Sequence, residues 1–269
     1  MPSNTNSIGQ YPPLIEAKGV SKKFALKFSD SRRYGIRDFT RIALGVKRNN
    51  SLLRQGEFWA LEDVSFTVNR GESMAILGRN GAGKSTLLTM MTGRMLPDTG
   101  SLTVRGRIGV LAVGSFGFRA ALSGLDNIFL KGITLGISKK DLTKLVPEIV
   151  EFAELGQFID APLRTYSAGM VARLGFAIAI NVQPDILLAD EALSAGDSAF
   201  AEKCSQRIAE MRERMTFLIV THNPDFAAQL CDKGLVLEKG LTAFSGTAKE
   251  AAEFYQSQIL KSTTVTTVA

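Results

Sequence analysis

The stretch from Gly78 to Thr86 carries residue types that bind a polyphosphate, and it fits the pattern G-x-x-x-x-G-K-[ST]. Glycines in such a loop let successive backbone N–H groups approach and point at phosphate oxygens. Lys84 can then reach the β- and γ-phosphates of a nucleotide, and the Ser85 hydroxyl can ligate Mg²⁺. We therefore predict a nucleotide site formed by Gly78, Arg79, Asn80, Gly81, Ala82, Gly83, Lys84, Ser85 and Thr86.

Two carboxylates follow an apolar run that is typical of a buried strand. Asp190 and Glu191 come directly after Ile186–Ala189, and ligands bind at the carboxyl edge of such strands in α/β sheets. Asp190 is suited to holding Mg²⁺, directly or through water. Glu191 is suited to orienting or deprotonating an attacking water. Acidic pairs at strand ends are common. This prediction therefore depends on the nucleotide site predicted at residues 78–86, which we call the phosphate loop.

Two further positions suit contacts with phosphate. Ser167, with the backbone N–H groups of Ala168 and Gly169, opens an apolar helix and could bind another phosphate. The alternative is a plain Ser N-cap, which the local pattern alone favours.

His222 is the single histidine of the chain. A lone histidine is more often structural, but this one follows the apolar run 217–220, so we predict a γ-phosphate contact.

The elements around these residues indicate an α/β domain over residues 14–255. Apolar Met74–Leu77 precedes the phosphate loop and helix-compatible residues follow it, while strand and helix patterns alternate after Pro184, as in a parallel sheet. Residues from about 115 to 180 are mostly helical. We expect residues 1–13 to be a disordered lead-in and residues 256–269 a flexible tail.

Composition excludes several other classes of protein. Of the 269 residues, 45% are hydrophobic and 22% are charged, as in ordinary globular domains. No apolar run reaches the roughly 18 residues that a membrane-spanning helix needs, and the N-terminus does not resemble a secretory signal. The two cysteines, Cys204 and Cys231, have no metal-binding spacing, so we expect reduced and mostly buried thiols in a cytosolic protein.

The segment from Lys27 to Glu57 is distinct because it carries eight positive and three negative side chains, +5 of the net +6. Apolar residues fall within it at helical spacing, with arginines mostly between them, which predicts a basic amphipathic helix over residues 31–48. One interpretation is a surface helix packed on its own domain, and the other is a helix that docks on a membrane surface or a partner. The apolar positions are Ile36, Phe39, Ile42, Ala43 and Val46.

The order of these motifs resembles the nucleotide-binding subunit of ABC transporters. That family has a phosphate loop, a helical subdomain, a signature loop, an Asp-Glu pair at a strand end, a D-loop and a switch histidine. Here the signature loop corresponds to residues 166–170, the D-loop to 194–197 and the switch histidine to His222. The signature-loop sequence and Ser194-Ala195-Gly196-Asp197 are similar to the subgroup that exports capsular polysaccharide, O-antigen and teichoic acid.

The resemblance implies a P-loop NTPase of ABC type, with a mostly parallel core sheet, an antiparallel β subdomain and a helical subdomain. It implies ATP hydrolysis with Mg²⁺, in which Lys84, Glu191 and His222 are catalytic and Asp197 helps to bind the nucleotide. The aromatic residue that stacks on adenine is Phe24 or Trp59. The family's Q-loop glutamine should fall near Gly114, and no glutamine is there.

The resemblance also implies partners and a location. Two copies are expected to form a head-to-tail homodimer around ATP, bound to a separate membrane-spanning permease subunit. The complex would move a lipid-linked glycan across the bacterial inner membrane, with this subunit peripheral on the cytoplasmic face and without nucleic acid. The alternative is an ABC ATPase for another class of substrate, or a non-transport ABC ATPase such as a translation or DNA-repair factor.

Overall fold

A computed structural model describes residues 11–44, 52–111, 117–189, 198–211 and 215–260, and it contains two β-sheets. The smaller sheet is antiparallel, with β1 (Ile15–Ala25) between β2 (Glu57–Val68) and β4 (Thr99–Val104). Val68 and Val104 both lie opposite Ile15, which is fully buried. Because side chains alternate along a strand, the apolar positions of β1 and β2 cover one side of the core.

The larger sheet has six strands in the order β5-β6-β7-β3-β8-β9. All neighbouring pairs are parallel except β8 and β9. Three of its strands, β3, β6 and β7, are buried along their whole length, as expected for parallel strands covered on both faces. The strands are β3 (Ser73–Leu77), β5 (Ile108–Leu111), β6 (Ile186–Ala189), β7 (Thr216–Thr221), β8 (Lys233–Glu238) and β9 (Leu241–Thr247).

Alternation along β3 divides the main core into two layers. Met74 and Ile76 pack in the cluster beneath the antiparallel sheet and α2 (Lys84–Met91). Ala75 and Leu77 pack in the opposite cluster, under the helices on the other face. Those helices include α6 (Ser198–Met211), α7 (Pro224–Leu230) and α8 (Ala248–Phe254), and a π-helical segment (Tyr255–Leu260) follows α8.

The helical subdomain has a core of its own, which includes Ile128, Leu142, Ile149 and Leu174. Ser123 begins its first helix with a reciprocal cap, because its hydroxyl accepts the Asp126 N–H and the Asp126 carboxylate accepts the Ser123 N–H. The elements are α3 (Gly124–Thr134), α4 (Lys139–Ala153), 3₁₀ turns at Gly156–Asp160 and Leu163–Thr165, and α5 (Ala168–Asn181).

The α/β fold with two sheets is confirmed, and two details differ from prediction. The basic helix is α1 (Phe28–Ala43), which begins earlier than predicted; its predicted end at residue 48 lies outside the described residues. The predicted flexible tail begins too early, because the helical segment continues to Leu260 and Ile259 is buried. Among the described residues, no helix is long and apolar enough to cross a bilayer.

Both cysteines are free thiols and both are buried, as predicted. Burial raises the pKa of the Cys204 thiol to about 12, so it stays protonated at neutral pH.

Candidate nucleotide site

The phosphate loop joins the end of β3 to the start of α2, and Lys84 lies at its centre. The Lys84 side chain is buried, with only 7% of the residue exposed. Its Nζ donates to the carbonyl oxygens of Gly78, at 2.6 Å, and Arg79, at 3.1 Å. The loop therefore closes around its own ammonium group, which fixes a positive charge beside the N-terminus of α2, where anions are favoured.

Close packing against β2 explains the glycine before Lys84. Gly83 has φ 104°, in the left-handed region that side chains disfavour. A Cβ atom there would lie 2.5 Å from the carbonyl oxygen of Ala60 and 2.6 Å from the Leu61 side chain. Any larger residue would push the loop off β2 and move Lys84.

The turn between β8 and β9 also contacts the phosphate loop. Gly240 N donates to the Ala82 carbonyl at 3.2 Å, and Glu62 N donates to the Gly240 carbonyl at 2.8 Å. These two bonds join the phosphate loop, the parallel sheet and the antiparallel sheet at one point. The phosphate loop is therefore connected to both sheets through the Gly240 turn.

A cavity of about 620 Å³ opens over the loop. Its floor comes from α2 and the loop, and one wall comes from β1 and β2. Eight of the predicted nucleotide-binding residues line it, and Phe58, Ala60 and Lys239 are additional lining residues that the sequence did not indicate. The predicted members are Phe24, Trp59, Asn80, Gly81, Gly83, Lys84, Ser85 and Thr86, of which Phe24 and Trp59 are the two aromatic candidates.

The two aromatic candidates belong to opposite faces of the β1–β2 ribbon. Phe24 lies opposite Phe58, and their ring centroids are 6.3 Å apart. Trp59 lies opposite Lys23, whose Nζ is 5.7 Å from the Trp59 ring centroid. Directly opposite residues share a face and successive residues alternate. Both rings line the cavity, so either can meet a base, from different sides.

The carboxyl ends of three parallel strands meet at the edge that carries the phosphate loop. Leu77 of β3 lies opposite Thr221 of β7, and Ala189 of β6 lies opposite Ile219 of the same strand. His222 follows Thr221 and is exposed at this edge. Asp190, Glu191 and Asp197 lie outside the described residues, as do residues 112–116, which contain the Q-loop position near Gly114.

The donor atoms at this edge fit a Mg²⁺ ion. Magnesium takes oxygen ligands and keeps several waters in protein sites. The Ser85 hydroxyl lines the cavity next to Lys84, and Asp190 directly follows β6 in the sequence. Ser85 would hold the ion together with Asp190 and the nucleotide's own phosphates.

The signature loop lies at a separate place on the chain. Ser167 caps α5, because its Oγ accepts the Met170 N–H at 3.2 Å. Ser167 and Ala168 are exposed, and a Cβ at Gly169 would meet nothing closer than the Ser167 Oγ at 3.8 Å. None of these three residues lines the nucleotide cavity. These three residues therefore lie outside the nucleotide cavity of their own chain.

A second cavity, of about 200 Å³, lies between α3, α5 and β5. Its lining is mainly apolar and contains one cation, Lys131, whose Nζ is 4.1 Å from the Phe118 ring centroid. Burial lowers the pKa of the Lys131 ammonium to about 8. No phosphate loop opens into this cavity, so the larger cavity is the candidate nucleotide site.

Comparison with known proteins agrees with this geometry. Residues 61–194 match the family described as ABC transporter. The O-antigen export system ATP-binding protein RfbB of Klebsiella pneumoniae is 40% identical over 245 residues, covering 91% of this chain and 98% of that protein. The chain belongs to the ABC transporter family. It is an ABC-type ATPase, as the motif order predicted.

Two further matches extend the comparison. The teichoic acids export ATP-binding protein TagH of Listeria monocytogenes is 42% identical over 199 residues, which cover 74% of this chain and 59% of that protein. Among solved structures, the dimeric ATP-binding cassette MJ0796, bound to ADP and Pi in a post-hydrolysis state, has a TM-score of 0.68. It is 22% identical and covers 87% of this chain and 98% of that chain, so this match supports the fold alone.

Proposed function

We propose that this chain is the ATP-hydrolysing subunit of an exporter that moves a lipid-linked polysaccharide across the bacterial inner membrane. The observation that carries the proposal is the 40% identity to an O-antigen export ATP-binding protein over almost the whole of that protein. Similarity to a teichoic acids export protein supports the same chemical class of cargo. The subunit would lie on the cytoplasmic face, bound to a separate membrane-spanning permease subunit.

We assign separate roles to the residues of the ATP site, and the geometry of Lys84 and the phosphate loop supports the first of them. Lys84, the loop N–H groups and the α2 N-terminus hold the β- and γ-phosphates and stabilise the charge that develops during phosphoryl transfer. Ser85 and Asp190 hold Mg²⁺, which neutralises phosphate charge. Glu191 orients or deprotonates the attacking water, and His222 contacts the γ-phosphate.

The signature loop supports a head-to-tail homodimer. Because Ser167, Ala168 and Gly169 do not line the cavity of their own chain, they would close over ATP held by the other copy's phosphate loop. Exposed Ser167 and Ala168 at the start of α5 suit a surface that meets a partner's nucleotide. ATP binding would close the dimer and hydrolysis would reopen it.

Helix α1 is proposed to dock at the junction of the permease subunit and the lipid surface. It carries four arginines and two aspartates, a net charge of +2, and each basic residue near an anionic leaflet is worth on the order of 1 kcal/mol. Arg32 and Arg37 are exposed, whereas Asp38 faces the domain. Among the α1 side chains that the structure describes, Tyr34 and Asp38 hydrogen-bond to the segment before β2, which leaves the exposed arginines available for docking.

A deletion and re-expression experiment in the native host tests the proposed function. Cells lacking this chain should lose surface polysaccharide and accumulate the lipid-linked form inside, because export needs ATP hydrolysis. The wild-type chain should restore export, and Lys84→Ala should not. Normal surface polysaccharide in the deletion strain would contradict the proposal, and loss of a different cargo would indicate an ABC ATPase for another class of substrate.

A further inference from the structure

Among the described side chains of helix α1, Asp38 forms an ion pair of low exposure with the segment that precedes β2. Asp38 accepts two hydrogen bonds from the Arg54 guanidinium, at 2.5 and 3.2 Å, and the two side chains are 9% and 20% exposed. The guanidinium carbon of Arg54 also lies 4.9 Å from the Tyr34 ring centroid. Tyr34 and Asp38, one helical turn apart on α1, thus hold Arg54 between them.

A second, deeper ion pair connects the Arg54 segment to β1. Lys23 Nζ lies 3.1 Å from the Glu57 carboxylate, and their side chains are only 3% and 7% exposed. Lys23 Nζ also donates to the Leu52 carbonyl at 2.7 Å, and Glu57 accepts the Arg54 backbone N–H at 2.8 Å. The segment from Leu52 to Glu57 is therefore fixed to α1 at Arg54 and to β1 at Lys23.

The ammonium group of Lys23 connects this ion pair to the nucleotide cavity. Besides its two oxygen partners, it faces the Trp59 ring at 5.7 Å, and Trp59 lines the cavity. A charge this deeply buried cannot leave its partners without a large penalty. When Leu52 and Glu57 move, the ammonium must follow, and its contact with the indole ring changes.

We infer that Arg54 is a positioning residue for the ATP site: through Glu57 and Lys23 it sets the position of the Trp59 ring. A partner that binds α1 and displaces it would then change ATP affinity at a site that it does not touch. The inference rests on the proposed assignment of the cavity to ATP. The competing explanation is that the two ion pairs only attach α1 to the domain.

Trp59 is the single tryptophan of the chain, so its fluorescence reports on this position alone. The purified full-length chain is titrated with ATP without Mg²⁺, and emission and affinity are compared for wild type and Arg54→Gln. We expect ATP to change wild-type emission, and Arg54→Gln to shift emission of the nucleotide-free protein. Loss of a well-placed aromatic contact should weaken ATP binding by about fivefold. KM should rise similarly while kcat changes by less than about twofold, since only binding is affected.

Matched variants separate positioning from simple attachment. The double variant Asp38→Asn with Arg54→Gln, which leaves no buried unpaired charge, should reproduce the affinity loss even if the single variant folds poorly. Arg54→Lys keeps the positive charge but lacks the planar guanidinium group. Its ATP affinity should therefore lie between those of Arg54→Gln and wild type. The control is Arg70→Gln, at the opposite end of β3, where an arginine 64% exposed pairs with Asp185; it should change neither emission nor affinity.

Three outcomes would overturn the inference. The first is a folded Arg54→Gln or double variant that has reduced thermal stability but wild-type emission and ATP affinity. The ion pairs would then only attach α1 to the domain. The second is that ATP does not change wild-type emission, although calorimetry detects ATP binding that Lys84→Ala removes. The proposed ATP site would then be correct, but Trp59 would not be part of it. The third is ATP binding that does not depend on Lys84, which would contradict the proposed site itself.

Discussion

Replacement of Lys84 by Ala should remove ATP hydrolysis and also destabilise the folded chain. The ammonium group makes hydrogen bonds of 2.6 and 3.1 Å to two loop carbonyls from a position that is 7% exposed. Bonds from a charged donor contribute roughly 1.5–3 kcal/mol each. Water in the open cavity can hydrogen-bond to the loop carbonyls and so replace part of this stabilisation. We therefore expect the free energy of unfolding to fall by about 2 kcal/mol, in the range of a single charged hydrogen bond.

The catalytic loss should be larger than the loss of stability. Removing one group that stabilises transition-state charge costs about 3–4 kcal/mol. At about 1.4 kcal/mol per tenfold, hydrolysis should fall by at least about a hundredfold. Phosphate release measures this loss, and a thermal melt should show a midpoint lower by about 4–8 °C.

A charge-matched control separates these effects from the general loss of one lysine. Lys144→Ala removes an ammonium that is 67% exposed and, among the described residues, pairs with Asp141 on α4, so it should leave both measurements at wild-type values. A Lys84→Ala protein that hydrolyses ATP within tenfold of wild type would refute the assigned role. An unchanged melting midpoint would refute the idea that the ammonium supports the loop.

Three other predictions concern the dimer and its docking. Glu191→Gln should still bind ATP but accumulate as a dimer on a sizing column, since closure survives and water attack fails; an active variant would remove Glu191 from that role. Ser167→Arg should lose hydrolysis with ATP binding intact in the monomer, and mixing it with Lys84→Ala should restore some activity through one complete composite site. Without rescue, the head-to-tail arrangement is wrong. Replacing three arginines of α1 by Gln should reduce glycan export and salt-sensitive membrane association but leave ATPase activity of the isolated subunit; normal export at wild-type levels of the complex would exclude docking through Arg33, Arg37 and Arg41.

Local sequence was enough to predict the core strands and the phosphate loop that follows β3. Met74–Leu77 and Ile186–Ala189 are short apolar runs, and each is a fully buried strand of the parallel sheet. Both signals are local, because a strand covered on both faces must be apolar throughout. Glu62 and Asp63 interrupt the apolar pattern of β2, yet the strand continues through them, and Asp63 takes a left-handed conformation with φ 52°.

Features that depend on distant parts of the chain were not predictable. In the sequence, Lys22 and Lys23 form an ordinary basic pair, yet Lys23 is buried because Leu52 and Glu57 fold back over it. Lys239 lines the nucleotide cavity only because the β8–β9 turn packs on the phosphate loop. No local pattern distinguishes either residue from a solvated lysine, since their surroundings come from tertiary contacts.

The central place of β3 has a consequence for synthesis of the chain. Both neighbours of β3, β7 and β8, follow it only after the whole helical subdomain, and the turn at Gly240 that braces the phosphate loop comes later still. A strand without partners gains little from its backbone hydrogen bonds, and such non-local pairing forms slowly. On the ribosome, the nascent chain must therefore emerge beyond the β8–β9 turn before it can bind ATP, and until then the apolar β3 strand is exposed to chaperones or to aggregation.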